Sequence, residues 1–133
     1  MTTSTETFST PNYVLLNGKT RISPTVLPMR SGRACKALYG FSDKAPYDTF
    51  RASSESPLTP FPLVKVYLRT LIETSPDDLH LVILDATGPG DATLHAATTE
   101  SILESHLKQF AAVNAEYILS FDSKANGYRI EEV

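Results

Sequence analysis

Four residues in the middle of the chain are of the types that bind single-stranded nucleic acid: Arg51, Lys65, Tyr67 and Arg69. Cations neutralise phosphates, and an aromatic ring stacks on a base. If residues 62–74 form a strand, Lys65, Tyr67 and Arg69 share one face of a sheet, because side chains alternate along a strand. Arg51 can join them from a neighbouring strand. A solvated polar face of a half-buried antiparallel sheet is the plainer interpretation of this pattern.

The charge distribution favours an anionic partner on part of the surface. The formal net charge is −3, which argues against a general nucleic-acid binder. Residues 19–69, however, hold nine of the 12 Lys and Arg residues and only three of the 15 Asp and Glu residues. A surface built from the middle strands is therefore expected to be positive.

The segment 85–93 has the composition of a phosphate-binding turn but lacks its motif. It reads DATGPGDAT and joins a predicted strand to a predicted helix. It contains no GxGxxG pattern and no Walker lysine, and Asp85 and Asp91 would repel a phosphate unless a metal lay between them. An ordinary Gly/Pro turn is the simpler interpretation.

The histidines do not form a recognisable metal or catalytic motif. His80, His95 and His106, with Asp91 as a fourth ligand, have no i,i+4 pair of the kind found in helical zinc sites. No serine lies in a GxSxG elbow. The sequence therefore predicts no enzyme, no metal, no cofactor and no small-molecule substrate.

The composition predicts a single globular domain over residues 1–133. The chain is 41% hydrophobic and 20% charged, and its longest apolar runs are far shorter than the ~20 residues that a bilayer requires. Residues 1–11 read as a polar arm and not as a signal peptide. Cys35 is the only cysteine, which excludes an internal disulfide and fits synthesis in a reducing cytoplasm.

The first half of the chain predicts a hairpin followed by an antiparallel sheet. Asn17-Gly18 lies between two apolar runs, so residues 12–28 are expected to form a hairpin with strands at 12–17 and 20–27. Residues 33–87 are expected to form the sheet. Its third strand is placed at 34–41, and the segment YDTFRASS reads as a weaker fourth strand.

Residues 61–88 can be read in two ways. A helix would place Phe61, Val64, Leu68 and Leu71 on one face. A strand gives cleaner alternation and an inward face rich in β-branched residues. With Ser75-Pro76-Asp77-Asp78 as a turn, the second reading is preferred, with strands at 62–74 and 79–87.

The last third, residues 97–133, predicts one long helix and a short final element. An apolar stripe identifies the helix: Ile102, Leu103, Leu107, Phe110 and Ala111. Thr98 or Thr99 can cap it. Residues 116–131 fit either a second hairpin around Asn126-Gly127 or a short second helix.

This order of elements, an α+β fold with an N-terminal β-hairpin, an antiparallel sheet and a C-terminal helix, resembles the coat proteins of single-stranded RNA bacteriophages. NYVLLNGKTRISPTVLP is similar to the family's first hairpin, and RSGRACKALYG to the turn that enters its third strand. YDTFRASSESPLTPFPLVKVYLRT is similar to the two central strands. The segment from Leu79 to Phe110 is similar to the last strand and the first helix.

The resemblance implies a structural coat protein and no enzyme. Two chains would form an interlocked homodimer with one continuous sheet, and dimers would assemble into an icosahedral shell. The polar sheet face would bind single-stranded RNA through Arg51, Lys65, Tyr67 and Arg69, with His80 at its margin. The protein would be made in the host cytoplasm, reside in the virion and have no membrane partner.

Two hypotheses from other classes remain beside the coat protein. One is a small cytosolic α+β enzyme or ligand-binding protein that uses the loop 85–98 for an anion or metal. The other is an adaptor that dimerises through its sheet.

Overall fold

The computed structural model describes residues 6–132, which form an α+β fold. Its helices and strands follow in chain order: β1 (Thr7–Ser9), β2 (Tyr13–Asn17), β3 (Thr20–Arg21), β4 (Cys35–Gly40), α1 (Lys44–Ala52), β5 (Thr59–Pro62), α2 (Lys65–Thr74), β6 (Leu79–Leu84), β7 (Thr93–Thr98), α3 (Thr99–Lys108), β8 (Ala112–Asn114), β9 (Tyr117–Asp122) and β10 (Gly127–Glu132). Among these residues, no helix is long and apolar enough to cross a membrane.

A five-stranded mixed sheet forms the centre of the molecule, in the order β10-β9-β7-β6-β4. β4 and β6 are parallel, in register from Cys35 opposite Leu79 to Gly40 opposite Leu84, and the other pairs are antiparallel. The prediction that residues 33–87 form a purely antiparallel sheet is therefore wrong. Parallel neighbours require a crossover connection, and here the chain makes it through α1, β5 and α2.

The sheet is strongly curved, because one short segment bonds both of its edges. The amide of Tyr39 in β4 donates to the carbonyl of Ile22 at 3.3 Å, and the amide of Tyr128 in β10 donates to Thr25 at 2.9 Å. In a flat sheet the edge strands β4 and β10 would be about 19 Å apart, at about 4.8 Å per strand. Groups bonded outside these two edges, such as Ile22 and Thr25, would be about 29 Å apart. Three residues span at most about 11 Å. The sheet therefore curls towards a barrel that residues 22–27 close.

Both faces of the sheet are covered, so all six residues of β6 are buried. Phe50 of α1 and Leu15 of β2 pack on the concave face with Leu81 and Ile83. Leu68 of α2 and Ile102 of α3 pack on the other face with Val82 and Leu84. Strands buried on both faces have continuous apolar sequences, as LHLVIL in β6 shows.

The turn and first strand of the first hairpin and the helix α3 are confirmed. The predicted second strand, 20–27, is wrong beyond Arg21, because residues 22–27 instead bond the edges of the five-stranded sheet. Phe110 and Ala111 of the predicted apolar stripe lie beyond the end of α3. β2 and β3 pair across Gly18, whose φ of 65° explains why glycine stands there. The third strand is β4. Thr98 caps α3 by accepting a hydrogen bond from the Ser101 amide. The C-terminal element is the β9–β10 hairpin, so the alternative of a short second helix is wrong.

Two predicted strands are helices. The segment YDTFRASS lies largely in α1. The side chain of Asp43 caps the N-terminus of α1 by accepting a hydrogen bond from the Lys44 amide. Residues 65–74 of the predicted strand 62–74 form α2, so the preferred reading of residues 61–88 is wrong there. The second predicted strand, 79–87, is confirmed as β6.

The predicted polar arm, residues 1–11, is partly structured. Thr7–Ser9 pair antiparallel with Ala112–Asn114. Thr10 is buried, and its hydroxyl shares a 2.8 Å hydrogen bond with the Ser105 hydroxyl. Residues 1–5 of the predicted arm lie outside the described residues.

Candidate anion-binding cleft

The helix at 65–74 separates the residues that were expected to share one face. Successive residues of an α-helix are turned by about 100°, so Tyr67 points about 200° away from Lys65. Lys65 and Arg69, four residues apart, are exposed on the solvent side, and Tyr67 is half-buried against the rest of the protein. The prediction that the three share a sheet face is therefore wrong.

Arg51 and His80 also lie in places that the sequence did not predict. Arg51 is in the last turn of α1, on the concave side of the sheet, and pairs with Asp48 at 3.2 Å. His80 is buried in β6, and its Nε2 lies 2.7 Å from the carbonyl oxygen of Ser75. Neither residue forms an exposed basic surface with α2.

Tyr67 and His80 do meet, in a small cleft between α2, the sheet and the N-terminal hairpin. The volume of this cleft is about 140 Å³. It is lined by Arg21, Ser23, Lys36, Ala37, Leu38, Tyr67, Leu71, His80, Leu81 and Thr99. We call it the anion-binding cleft because its lining includes the cations Arg21 and Lys36.

Arg21 is the central cation of the anion-binding cleft. Its guanidinium carbon lies 3.6 Å from the centroid of the Tyr67 ring and 5.6 Å from that of Phe61, which fixes the guanidinium by cation–π contact. Its buried Nε has no hydrogen-bond partner within residues 6–132. Among these residues no carboxylate forms an ion pair with it either, so its charge is available to an external anion.

Thr99 supplies a second buried polar atom without a partner. The residue is fully buried, and its Oγ1 makes no hydrogen bond to any described residue. It is the first residue of α3, where the free backbone amides and the helix dipole favour negative charge. A buried polar atom that lacks a partner is costly, so Thr99 Oγ1 is a candidate hydrogen-bonding group for a ligand in the cleft.

Lys36 completes the polar wall. It lies opposite His80 in the β4–β6 register. Its Nζ bonds the Ser75 hydroxyl at 3.0 Å and lies 3.4 Å from the Asp78 carboxylate. Asp78 therefore balances the charge of Lys36 but not that of Arg21, which leaves the cleft net positive.

The sequence did not identify Arg21, Lys36 and Thr99 as site residues. Arg21 and Lys36 belong to the basic span 19–69, but no local motif links either of them to Tyr67. Thr99 was considered only as a helix cap. Their meeting depends on the parallel β4–β6 pairing and on the position of α2, which are long-range features.

The segment 85–93 connects β6 to β7, so the prediction that it joins a strand to a helix is wrong, and residues 93–98 of the predicted loop 85–98 form β7. The two carboxylates of this connection are engaged in hydrogen bonds to loop residues. The carboxylate of Asp85 accepts from the amide and the hydroxyl of Ser42, both at 2.7 Å. That of Asp91 accepts from the amide and the hydroxyl of Thr87, at 2.8 and 2.7 Å. Both carboxylates thus fix loops. In the described part of the chain, no group of three or more His, Cys, Asp or Glu side chains could hold a metal ion.

No protein-family model, curated protein or solved structure matches this chain. The resemblance to phage coat proteins stays a prediction, and the segment that was read as its two central strands, residues 47–70, lies partly in the helices α1 and α2. The functional assignment therefore rests on the geometry of the anion-binding cleft.

The unpartnered hydroxyl of Thr99 gives a stability prediction. Thr99→Val keeps the shape of the side chain and removes the buried hydroxyl, so we expect the free energy of unfolding to rise by about 1 kcal/mol. Thr98→Val is the matched control: it removes the hydroxyl that caps α3 and should cost about 0.5–2 kcal/mol. Urea unfolding of both variants measures the difference. A loss of stability in Thr99→Val would show that the hydroxyl has a partner.

Proposed function

We propose that this protein binds single-stranded RNA without an enzymatic step, and that a backbone phosphate lies in the anion-binding cleft. The observation that carries this proposal is Arg21, a cation held by Tyr67 with a buried Nε that has no partner among the described residues. A guanidinium that is fixed in place loses little entropy when it binds a phosphate, and its planar fork suits two phosphate oxygens.

The size of the cleft suits one phosphate group. A volume of about 140 Å³ lies below the roughly 300–1,000 Å³ of sites that enclose a whole small molecule, so the cleft suits one part of a nucleotide, such as its phosphate. The rest of a bound strand would therefore lie outside, where a base can stack on the exposed ring of Phe61.

RNA is favoured over a free anion by the surroundings of the cleft. Lys65 and Arg69 lie exposed on the outer side of α2, whose inner side lines the cleft with Tyr67 and Leu71. A strand that leaves the cleft over α2 would meet both cations. Such contacts neutralise phosphates without reading sequence, so binding should be salt-sensitive and largely independent of sequence.

We further propose that this RNA contact serves a coat protein, which forms homodimers and an icosahedral shell in the virion. Support comes from exposed apolar side chains near the cleft: Phe61, Val64 and Val66 lie within six residues of one another. Exposed apolar residues this close together are typical of surfaces that self-associate.

Such self-association would use side chains and not a continuous sheet. Both edges of the five-stranded sheet bond residues 22–27 of the same chain. β5, an edge of the smaller sheet β3-β2-β5, contains Pro60 and Pro62, which have no amide to donate. The interlocked sheet of the phage coat dimer is therefore the part of the resemblance that the geometry supports least.

The test of RNA binding compares two arginines. Fluorescence anisotropy with a labelled single-stranded RNA of mixed sequence should show that Arg21→Ala weakens binding about 10–100-fold, the loss expected for charge-assisted hydrogen bonds. The slope of log affinity against log salt should also fall by about 1. Arg51→Ala, on the other side of the sheet, should change affinity less than about twofold, because exposed cations contribute little individually.

Equal affinities for Arg21→Ala and the parent protein would refute the phosphate site. The coat role has its own test: size-exclusion chromatography with electron microscopy of any early-eluting fraction. Uniform shells that contain nuclease-protected RNA would support it. A protein that stays monomeric at every salt concentration but still binds RNA at low salt would support the RNA site and exclude assembly.

A further inference from the structure

A second cavity lies at the end of the curved sheet where the parallel strands β4 and β6 finish. Its volume is about 350 Å³. It lies between residues 22–25, the end of α1 and the β9–β10 turn. Its lining residues lie within 17–25, 50–58 and 121–128, together with Tyr39 and Pro89. This size and position are typical of small-molecule sites, which favour barrel mouths and the carboxyl ends of parallel strands.

The polar groups of this cavity carry no charge. Among the described residues that line it there is no Asp, Glu, Lys, Arg or His. Its polar groups are instead hydroxyls and amides, from Ser54, Ser56, Thr25, Asn17 and Asn126. An ionised ligand would lose its hydration here without gaining a counter-charge, so the lining selects an uncharged one.

Aromatic rings form the apolar part of the wall. Tyr39 lies against Phe50 with ring centroids 4.8 Å apart, and Phe121 lies edge-on to Tyr128 at 5.3 Å. Phe121 lies at the mouth of the cavity, where its side chain is 46% exposed. Rings arranged in this way offer faces and edges to a planar ligand.

Tyr39 adds a hydrogen-bond donor without a partner. It is only 4% exposed, and no described residue forms a hydrogen bond with its hydroxyl. Burial, and then the nearby Tyr128 and Asp91, raise the pKa of Tyr39, so the hydroxyl keeps its proton. Tyr128 differs, because its hydroxyl bonds the carbonyl oxygen of Asp91. The Tyr39 hydroxyl is therefore a donor that remains for a ligand.

From these observations we infer that this cavity binds an uncharged, planar small molecule with hydrogen-bonding groups on its edge. The Tyr39 hydroxyl would donate to an acceptor on that edge, and the ring of Phe121 would cover its outer face. The sequence predicted no small-molecule partner, because the residues involved come from five separate segments. The site does not depend on RNA binding, since its aromatic wall lies on the concave face of the sheet and Arg21 does not line it.

Calorimetry with a matched pair of probes tests this site: neutral 4-hydroxybenzamide and anionic 4-hydroxybenzoate, with adenosine and uridine as larger neutral probes. We expect at least one neutral probe to bind with saturation and the benzoate to bind at least tenfold more weakly than the benzamide. Tyr39→Phe, which removes only the hydroxyl, should weaken the neutral probe about three- to tenfold. Arg21→Ala should leave probe binding unchanged.

Each opposite result overturns the inference. No saturable binding of any neutral probe would exclude the site, and equal binding of benzamide and benzoate would exclude selection by charge. Full affinity in Tyr39→Phe would exclude the donor role. RNA affinity is measured separately on the parent protein and Arg21→Ala, so failure of the RNA proposal does not affect these outcomes.

Discussion

The Leu68→Ala variant is expected to unfold with a free energy about 2–5 kcal/mol below that of the parent protein. Leu68 is fully buried between α2 and the sheet, where it packs in the same cluster as Val82 and Ile102. Truncation removes its apolar contacts and leaves a cavity that rigid neighbours cannot fill. Urea unfolding followed by circular dichroism measures the change.

Val66→Ala is the matched control, because it separates the helix from the strand. In a strand at 62–74, Val66 and Leu68 would point to the same face and both truncations would be costly. In α2, Val66 is 70% exposed, so its replacement should change stability by less than about 0.5 kcal/mol. Similar large losses in both variants would contradict the helix.

The elements that the sequence predicts correctly are those with local signals. Gly18 adopts a left-handed conformation in the first hairpin, and Asn126 does so at the turn of the last. α3 combines an apolar stripe with a cap from Thr98 and an ion pair between Glu104 and Lys108 at 3.2 Å. Each of these signals acts within a few residues, so it is independent of the rest of the fold.

α2 was predicted wrongly because its sequence satisfies both periods. Alternation and β-branched residues at 64, 66, 70 and 72 favour a strand, and the propensity difference is only about 1 kcal/mol. What decides is long-range: β6 pairs parallel with β4, so the intervening chain must cross over the sheet. A helix at 65–74 does this and buries Leu68. The hydroxyls of Thr70 and Thr74 bond backbone carbonyls one turn earlier, so both hydroxyls are satisfied within the helix.

The candidate site was predictable only in part, for the same reason. Tyr67 was selected for its chemical type and His80 through the resemblance to coat proteins, and both line the anion-binding cleft. Arg51, Lys65 and Arg69 were grouped with them by an alternation that α1 and α2 do not have. Arg21 and Thr99 are far apart in the chain, and what marks them is an unpartnered buried atom, which a sequence does not contain.

The two proposed sites use opposite chemistry on opposite faces of one sheet. The face that α2 and α3 cover holds Arg21 and Lys36 and suits an anion. The cavity at the end of the concave face holds tyrosines and hydroxyls and suits a neutral ring. Residues 22–27, which close the sheet, contribute Ser23 to both linings. The closing segment thus belongs to both sites, as does β4, which contributes Tyr39 to one lining and Lys36 to the other.

Gly40→Ala is expected to lower the free energy of unfolding by about 1–3 kcal/mol, because it overpacks the end of β4. A Cβ at this position would lie 2.5 Å from Cγ1 of Val82 and 3.0 Å from Cβ of Pro11. Neither neighbour can retreat easily. Val82 is fully buried in β6. Pro11 is held in place because the amide of Asn12, the next residue, donates to the carbonyl oxygen of Phe41 at 2.9 Å. Glycine is therefore required at position 40 for the close approach of two backbone segments.

Gly90→Ala provides the control for this substitution. No atom lies within 4 Å of a Cβ built there, and Gly90 does not adopt a positive φ. Its replacement should leave stability unchanged or raise it by up to about 1 kcal/mol, because alanine restricts the unfolded chain. Thermal unfolding of both variants gives the comparison. A Gly40→Ala protein as stable as Gly90→Ala would mean that the N-terminal segment does not pack against the end of β4. The closure of the sheet by residues 22–27 would then need revision as well, since β2 and β3 connect these two segments.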